Sequence, residues 1–292
     1  MSFDGEALGT HDNAAGQLVF LAVHVPKCAG STLERHMAKH LPTEERWITR
    51  KRSPRLPLAW GRPYTLHRAP EIRRVRFISG HYVGRSLERM LPERPIRRSV
   101  LLREPTSFMI SYYNYRMMRY LSLGWKPYSF ETHLRSLPSD PITHFLLERW
   151  LEIPWPALMI MSPARKYQLL NHELRRFWYV ADYGHCDELT AMMGAELGIS
   201  TVPERLNTQE EWTSKVNWRP LTTDDLTPEL RSEIAARTRL DRALWQSWAG
   251  ARLNTASIEP VPLEGTSRFN FPLAEVKRPV HQVARRLQRG WS

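Results

Sequence analysis

The stretch LVFLAVHVPKCAGSTLERHMAKH, Leu18 to His40, decides how the rest of the chain is read. Leu18-Val19-Phe20-Leu21-Ala22-Val23 is a short apolar run of strand formers with the length of a buried parallel strand. Pro26 breaks it, and Lys27-Cys28-Ala29-Gly30 makes a tight turn of small residues around one lysine. Ser31 or Thr32 can cap the helix that follows, and Glu34, three residues after Ser31, completes a capping box. Leu33, Met37 and Leu41 continue at helical spacing. A strand, a small-residue turn and a helix start together make an anion site. The first backbone N–H groups of a helix have no partner within it, and the positive end of its dipole lies behind them. The ammonium of Lys27 can reach an anion seated there. The turn is not a Walker A loop, because Lys27 precedes Gly30 where that motif places glycine before lysine.

Composition frames the search. At 292 residues, with 42% hydrophobic and 25% charged residues, the chain can bury a large core. Lys and Arg outnumber Asp and Glu by 42 to 30, a net charge of +12, which suits an anionic cofactor, an anionic acceptor or nucleic acid. The two cysteines, Cys28 and Cys186, have no metal-ligand spacing, and the simpler reading is a reducing compartment. The N-terminus lacks the order of a signal peptide, and no apolar run approaches the roughly 20 residues of a membrane helix. A cytoplasmic protein without a membrane span is expected.

Residues 1–17 read as a flexible lead, and Pro42 to Pro70 as an irregular, basic loop or rim near the site. Further strands are expected at Val75–Ser79, within Ile96–Leu102, and at Phe177–Ala181. Helices are expected at Thr106–Leu121, in proline-separated pieces between Tyr128 and Leu174, and from Asp187 to Leu197 before Gly198. Thr201 to Pro220 reads as a polar loop, followed by helices at Pro228–Leu240 and Asp241–Leu253. Residues 254–292 form a C-terminal extension, with a short amphipathic helix at Val276–Leu287. Strands alternating with helices predict an α/β fold with a mostly parallel sheet, in which residues 128–174 are a helical insertion in a domain spanning 18–253.

A second strand-to-helix junction carries chemistry. Leu101-Leu102-Arg103-Glu104-Pro105 puts an arginine where a strand ends, and Ser111 lies two turns into the next helix. The guanidinium fork matches a phosphate in two-point contact, and the serine adds a neutral donor. A third, Ser79-Gly80-His81, puts an imidazole at the same sheet edge as Lys27.

P-K-C-A-G-S-T-L after a strand resembles the 5′-phosphosulfate loop of the sulfotransferases that use 3′-phosphoadenosine 5′-phosphosulfate (PAPS). The strand-Arg-Glu-Pro-helix segment resembles that family's 3′-phosphate site, and Gly80-His81 resembles the catalytic segment of its glycan O-sulfotransferase branch. With weaker similarity in the later segments, the resemblance spans roughly residues 18–250. It implies a P-loop NTPase-like scaffold, and a phosphosulfate cradle of Lys27, Cys28, Ala29, Gly30, Ser31 and Thr32. It further implies Arg103 and Ser111 on the 3′-phosphate, Lys27 neutralising the leaving oxygen, and His81 as base, with no metal required. Phe108 stands where the family often has a further arginine, so some contacts differ. His24, His67, His185, Glu34 and Glu104 remain open as the base.

The expected reaction is transfer of a sulfuryl group to an acceptor hydroxyl, on a saccharide, a small molecule or a tyrosine. A nucleotide-dependent phosphotransferase and a basic nucleic-acid-binding protein are the alternatives. The first should show carboxylates for magnesium, and the second leaves both anion motifs unexplained.

Overall fold

The computed structural model describes residues 17–49, 72–91, 94–202, 218–250 and 252–253. The expected lead at 1–17 (all but Gln17), most of the basic loop, most of 201–220 and the extension at 254–292 lie outside the described residues. So do His67 and the helix expected at Val276–Leu287.

The predicted α/β fold is present. Among the described residues six strands form one sheet in the order β2-β3-β1-β4-β5-β6, where β1 is Val19–Val23, β2 Arg46–Thr49, β3 Phe77–Gly80, β4 Ile96–Leu102, β5 Tyr179–Asp182 and β6 Arg252–Leu253. The first five run parallel and β6 pairs antiparallel to β5 at the edge. All five residues of β1 are buried, with no alternation along the strand, so both of its faces are covered. Burial of side chains such as Phe20 and Leu21 stabilises the fold by about 1.5–3 kcal/mol each.

β2 falls where the sequence predicts an irregular loop. It is a four-residue edge strand in which Trp47 and Ile48 are only partly buried, so it carries no apolar run. The β-formers Trp, Ile and Thr still suit a half-covered edge, and the Thr49 hydroxyl donates to the Ser79 carbonyl at 3.2 Å.

The helices are α1 Gly30–His40, α2 Pro105–Ser122, α3 Phe130–Ser136, α4 Pro141–Phe145, α5 Trp155–Ile160, α6 Pro163–Leu174, α7 Cys186–Leu197, α8 Pro228–Arg237 and α9 Arg239–Trp248. A π-helical turn at Leu146–Trp150 continues α4. The helical pieces expected between 128 and 174 are therefore present. Asp140 and Asp241 tie them to α9 by exchanged helix caps. Asp241 accepts from the Ile142 and Thr143 amides at 3.0 and 2.7 Å, and Asp140 accepts from the Leu240 amide at 2.8 Å. Among the described residues no helix is long and apolar enough to cross a membrane.

This topology selects a position for a ligand. From β1 the chain moves through α1 to β2 and β3 on one side; from β4 it moves through α2 to β5 on the other. Between β1 and β4 the connections diverge, leaving a crevice beyond the carboxyl ends of the strands. Lys27 follows β1 there, and Arg103 follows β4.

Candidate functional site

The turn after β1 is built differently from a capping box. Lys27 and Ala29 adopt left-handed backbone, with φ of 64° and 60°, and Ala29 is the N-cap residue of α1 with no side-chain cap. Such strain in residues other than glycine gathers at functional sites. Glu34 does not turn back to the helix start. It is buried, accepting from the Ser79 hydroxyl at 3.0 Å and pairing with His24 Nδ1 at 2.7 Å.

The loop amides divide into two sets. Cys28 N–H donates to the Val25 carbonyl at 3.3 Å and Thr32 N–H to the Ala29 carbonyl at 2.9 Å. The helical ladder offers no acceptor to the N–H groups of Gly30 and Ser31, so these point out of its first turn. The Cys28 side chain is buried and its thiol is pushed well above the ordinary range, chiefly by burial. The Cys28 side chain thus packs beneath the loop, while its amide is bonded to the Val25 carbonyl.

Gly30 is needed for space. A Cβ there would lie 2.2 Å from His24 Cδ2, inside any tolerable contact with a ring that is itself held by Glu34. Gly30→Ala is expected to destabilise the fold by roughly 1–3 kcal/mol through overpacking. Thermal unfolding of the purified variant checks this, and an unchanged melting temperature would refute it.

Arg103 joins the two anion motifs. Its Nη1 donates to the Lys27 carbonyl and to Ser111 Oγ, each at 3.1 Å, and its Nε donates to Ser107 Oγ at 2.8 Å. The guanidinium also lies over the Tyr183 ring, 4.2 Å from its centroid. Ser107 and Tyr183 were not foreseen. The signal for Ser107 was its place four residues from both Arg103 and Ser111, hence on one helical face; Tyr183 has no local signal. Glu104 does not pair with Arg103: it caps α2, accepting from the Ser107 amide at 2.7 Å, and lies 3.6 Å from Arg242.

The two motifs open into one cavity of about 720 Å³. Lys27, Ala29, Gly30, Ser31 and Thr32 line its floor, and Arg103 and Ser111 flank them. Ile110, Asn114, Tyr115 and Met118 extend the wall along α2 toward Leu221. Asn114 holds that far wall by a reciprocal pair of bonds with Leu221, 2.8 Å to its carbonyl and 2.9 Å from its amide. Lys27 Nζ lies 4.6 Å from the Tyr115 ring centroid. Desolvation, then the nearby Arg103 charge, lower the Lys27 pKa to about 8.

His81 lines the same cavity. Its Nδ1 is 2.8 Å from the His24 carbonyl, which can only accept, so Nδ1 carries the proton and Nε2 keeps the lone pair. Burial, followed by the charge of His24, lowers its pKa below the ordinary 6.5, so the ring is neutral at pH 7. Of the competing bases, His185 pairs with Glu188 on the surface, Glu104 is spent on the helix cap, and Glu34 holds His24. Among the described candidates only His24 joins His81 in the cavity.

The arrangement presents fixed cations, hydroxyls and free helix amides to an anion, beside a neutral imidazole with an available lone pair. No family model, curated protein or solved structure matches the chain.

Proposed function

We propose that this chain is a PAPS-dependent sulfotransferase acting on an acceptor hydroxyl, on a P-loop-like scaffold. The observation that carries the proposal is the joining of the β1 loop and the β4 junction through Arg103, at 3.1 Å to both the Lys27 carbonyl and Ser111 Oγ. A ligand with anionic groups at two separated positions is what such a pair of cradles fits. The donor chemistry also fits. Arg103, Ser107 and Ser111 would hold a 3′-phosphate, while the Gly30 and Ser31 amides with the Ser31 and Thr32 hydroxyls would hold the 5′ end.

PAPS when bound supplies an activated sulfuryl group whose sulfur–oxygen bond to phosphate breaks as the acceptor oxygen bonds to sulfur. The chain's residues serve that exchange from fixed positions. Lys27 holds positive charge where the released phosphate oxygen gains negative charge. His81 Nε2 accepts the proton that the acceptor hydroxyl gives up. The acceptor is a saccharide or another hydroxyl-bearing molecule.

Calorimetric titration tests this. Adenosine 3′,5′-bisphosphate is expected to bind at least about tenfold tighter than ATP, a difference of about 1.4 kcal/mol assignable to the 3′-phosphate. Preference for ATP would favour a phosphotransferase instead. Binding of neither, with salt-dependent binding of arbitrary DNA, would favour the nucleic-acid reading.

A further inference from the structure

His24 and Glu34 form a buried pair that the sulfotransferase reading leaves without a role. Both are nearly inaccessible, at 6% and 3% exposure. Glu34 Oε1 receives two donors, His24 Nδ1 at 2.7 Å and the Ser79 hydroxyl at 3.0 Å. These three residues come from the start of the β1 loop, from α1 and from β3, so the contact crosses the centre of the sheet edge. A buried carboxyl–imidazole pair adds little stability, since removing such groups from water offsets most of their attraction. Its placement suggests another purpose. The His24 ring lies against the His81 ring, 4.1 Å between centroids with planes inclined by 38°, and the His24 carbonyl accepts a hydrogen bond from His81 Nδ1–H. His24 thus touches His81 twice, through ring and backbone, and Glu34 touches His24.

We propose that His24, anchored by Glu34, is the positioning residue for His81, holding that imidazole in the Nδ1–H tautomer, neutral, with Nε2 as its only basic atom. This rests on the sulfotransferase reading for its purpose, though the arrangement itself does not depend on the reaction. The contact acts on charge as well as on shape. The ring contact at 4.1 Å fixes the plane of His81, and the His24 carbonyl fixes which nitrogen carries its proton. A second proton on His81 is disfavoured, first by burial and then by the neighbouring His24. The charged groups facing His81 are His24 from the loop after β1, Glu34 from α1 and Arg149 from the π-helical turn. Arg149 opposes protonation as His24 does, and Glu34, one residue further off, favours it less strongly than His24 opposes it. Phe145 closes the remaining side, its ring edge-on at 6.3 Å. Gly30 belongs to the same device, because only a residue without Cβ leaves the His24 ring room beside Glu34.

The test is a histidine titration by nitrogen-15 NMR on the full chain without nucleotide, comparing wild type, Glu34→Gln and His24→Ala. Glu34→Gln keeps the shape and one acceptor for Ser79, so it is the less disruptive of the two variants. In wild type, His81 is expected as a single Nδ1–H tautomer titrating below the ordinary value. In Glu34→Gln its midpoint is expected to move to lower pH, since Glu34 favours the protonated ring, and in His24→Ala to higher pH, since the His24 ring opposes it. Turnover in Glu34→Gln should fall about tenfold, the size of loss seen when a partner orienting an imidazole is removed, while bisphosphate affinity stays within about twofold. An unmoved His81 midpoint in Glu34→Gln overturns the proposal, whatever the activity does. A moved midpoint in a protein that fails to bind adenosine 3′,5′-bisphosphate upholds the positioning role and defeats the sulfotransferase reading instead.

Discussion

Arg103→Ala is expected to abolish measurable preference for adenosine 3′,5′-bisphosphate over ATP and to weaken bisphosphate binding roughly a hundredfold or more. A charged hydrogen bond contributes about 1.5–3 kcal/mol, and the fork can make two to a phosphate. A loss of about 3 kcal/mol corresponds to roughly a hundredfold in Kd. A second effect adds to it. Arg103 Nη1 also holds the Lys27 carbonyl at 3.1 Å, and Lys27 sits in left-handed backbone that an unsupported lysine leaves readily. Losing the guanidinium therefore loosens the loop at the other end of the ligand. Arg103→Lys should not restore binding, because an ammonium cannot reach Ser107, Ser111 and the Lys27 carbonyl together. Calorimetry on the three proteins decides. Binding by Arg103→Ala within about threefold of wild type would remove Arg103 from the site and the proposal with it.

How much of this was legible in the sequence follows from where each signal resides. β1, β3, β4 and β5 are visible because central parallel strands bury both faces and must be written in consecutive apolar residues. β2 and β6 are edges, one of four residues and one of two, and an edge requires no such run. The two strand-to-helix junctions are local, so the sequence alone singles out Lys27, Arg103 and Ser111, which the fold brings to one cavity. The relations between motifs are not local. Arg103 reaching back to the Lys27 carbonyl crosses 76 residues, and Ser79 reaching Glu34 crosses 45. Glu34 shows the limit most clearly. Its spacing from Ser31 satisfies a capping box, yet burial beside an imidazole and a hydroxyl outweighs one exposed cap bond. A spacing rule that sees only the helix assigns it to the wrong partner.

His81→Ala should leave bisphosphate affinity within about twofold of wild type and lower turnover by about 100- to 10,000-fold, the span attributed to a positioned general base. The split matters, because His81 lies on the β3 side of the cavity while the Arg103 cluster lies on the β4 side. The pH dependence of the wild type adds a check with a defined sign. A base must be unprotonated to work, and His81 is held below 6.5, so the acid limb of kcat/KM lies below 6.5 and is lost in His81→Ala. Lys27 must be protonated to meet an anion, and in the free protein it loses its proton near pH 8, so kcat/KM falls as pH rises through about 8. A bound anion favours the charged lysine and moves this alkaline limb upward in kcat. The free protein thus has a narrow working window bounded by two groups of opposite requirement, and the loaded protein a wider one. If His81→Ala turns over at near wild-type rate with its acid limb intact, the base is His24, the other imidazole of that cavity, and its pairing with Glu34 then belongs to proton transfer itself.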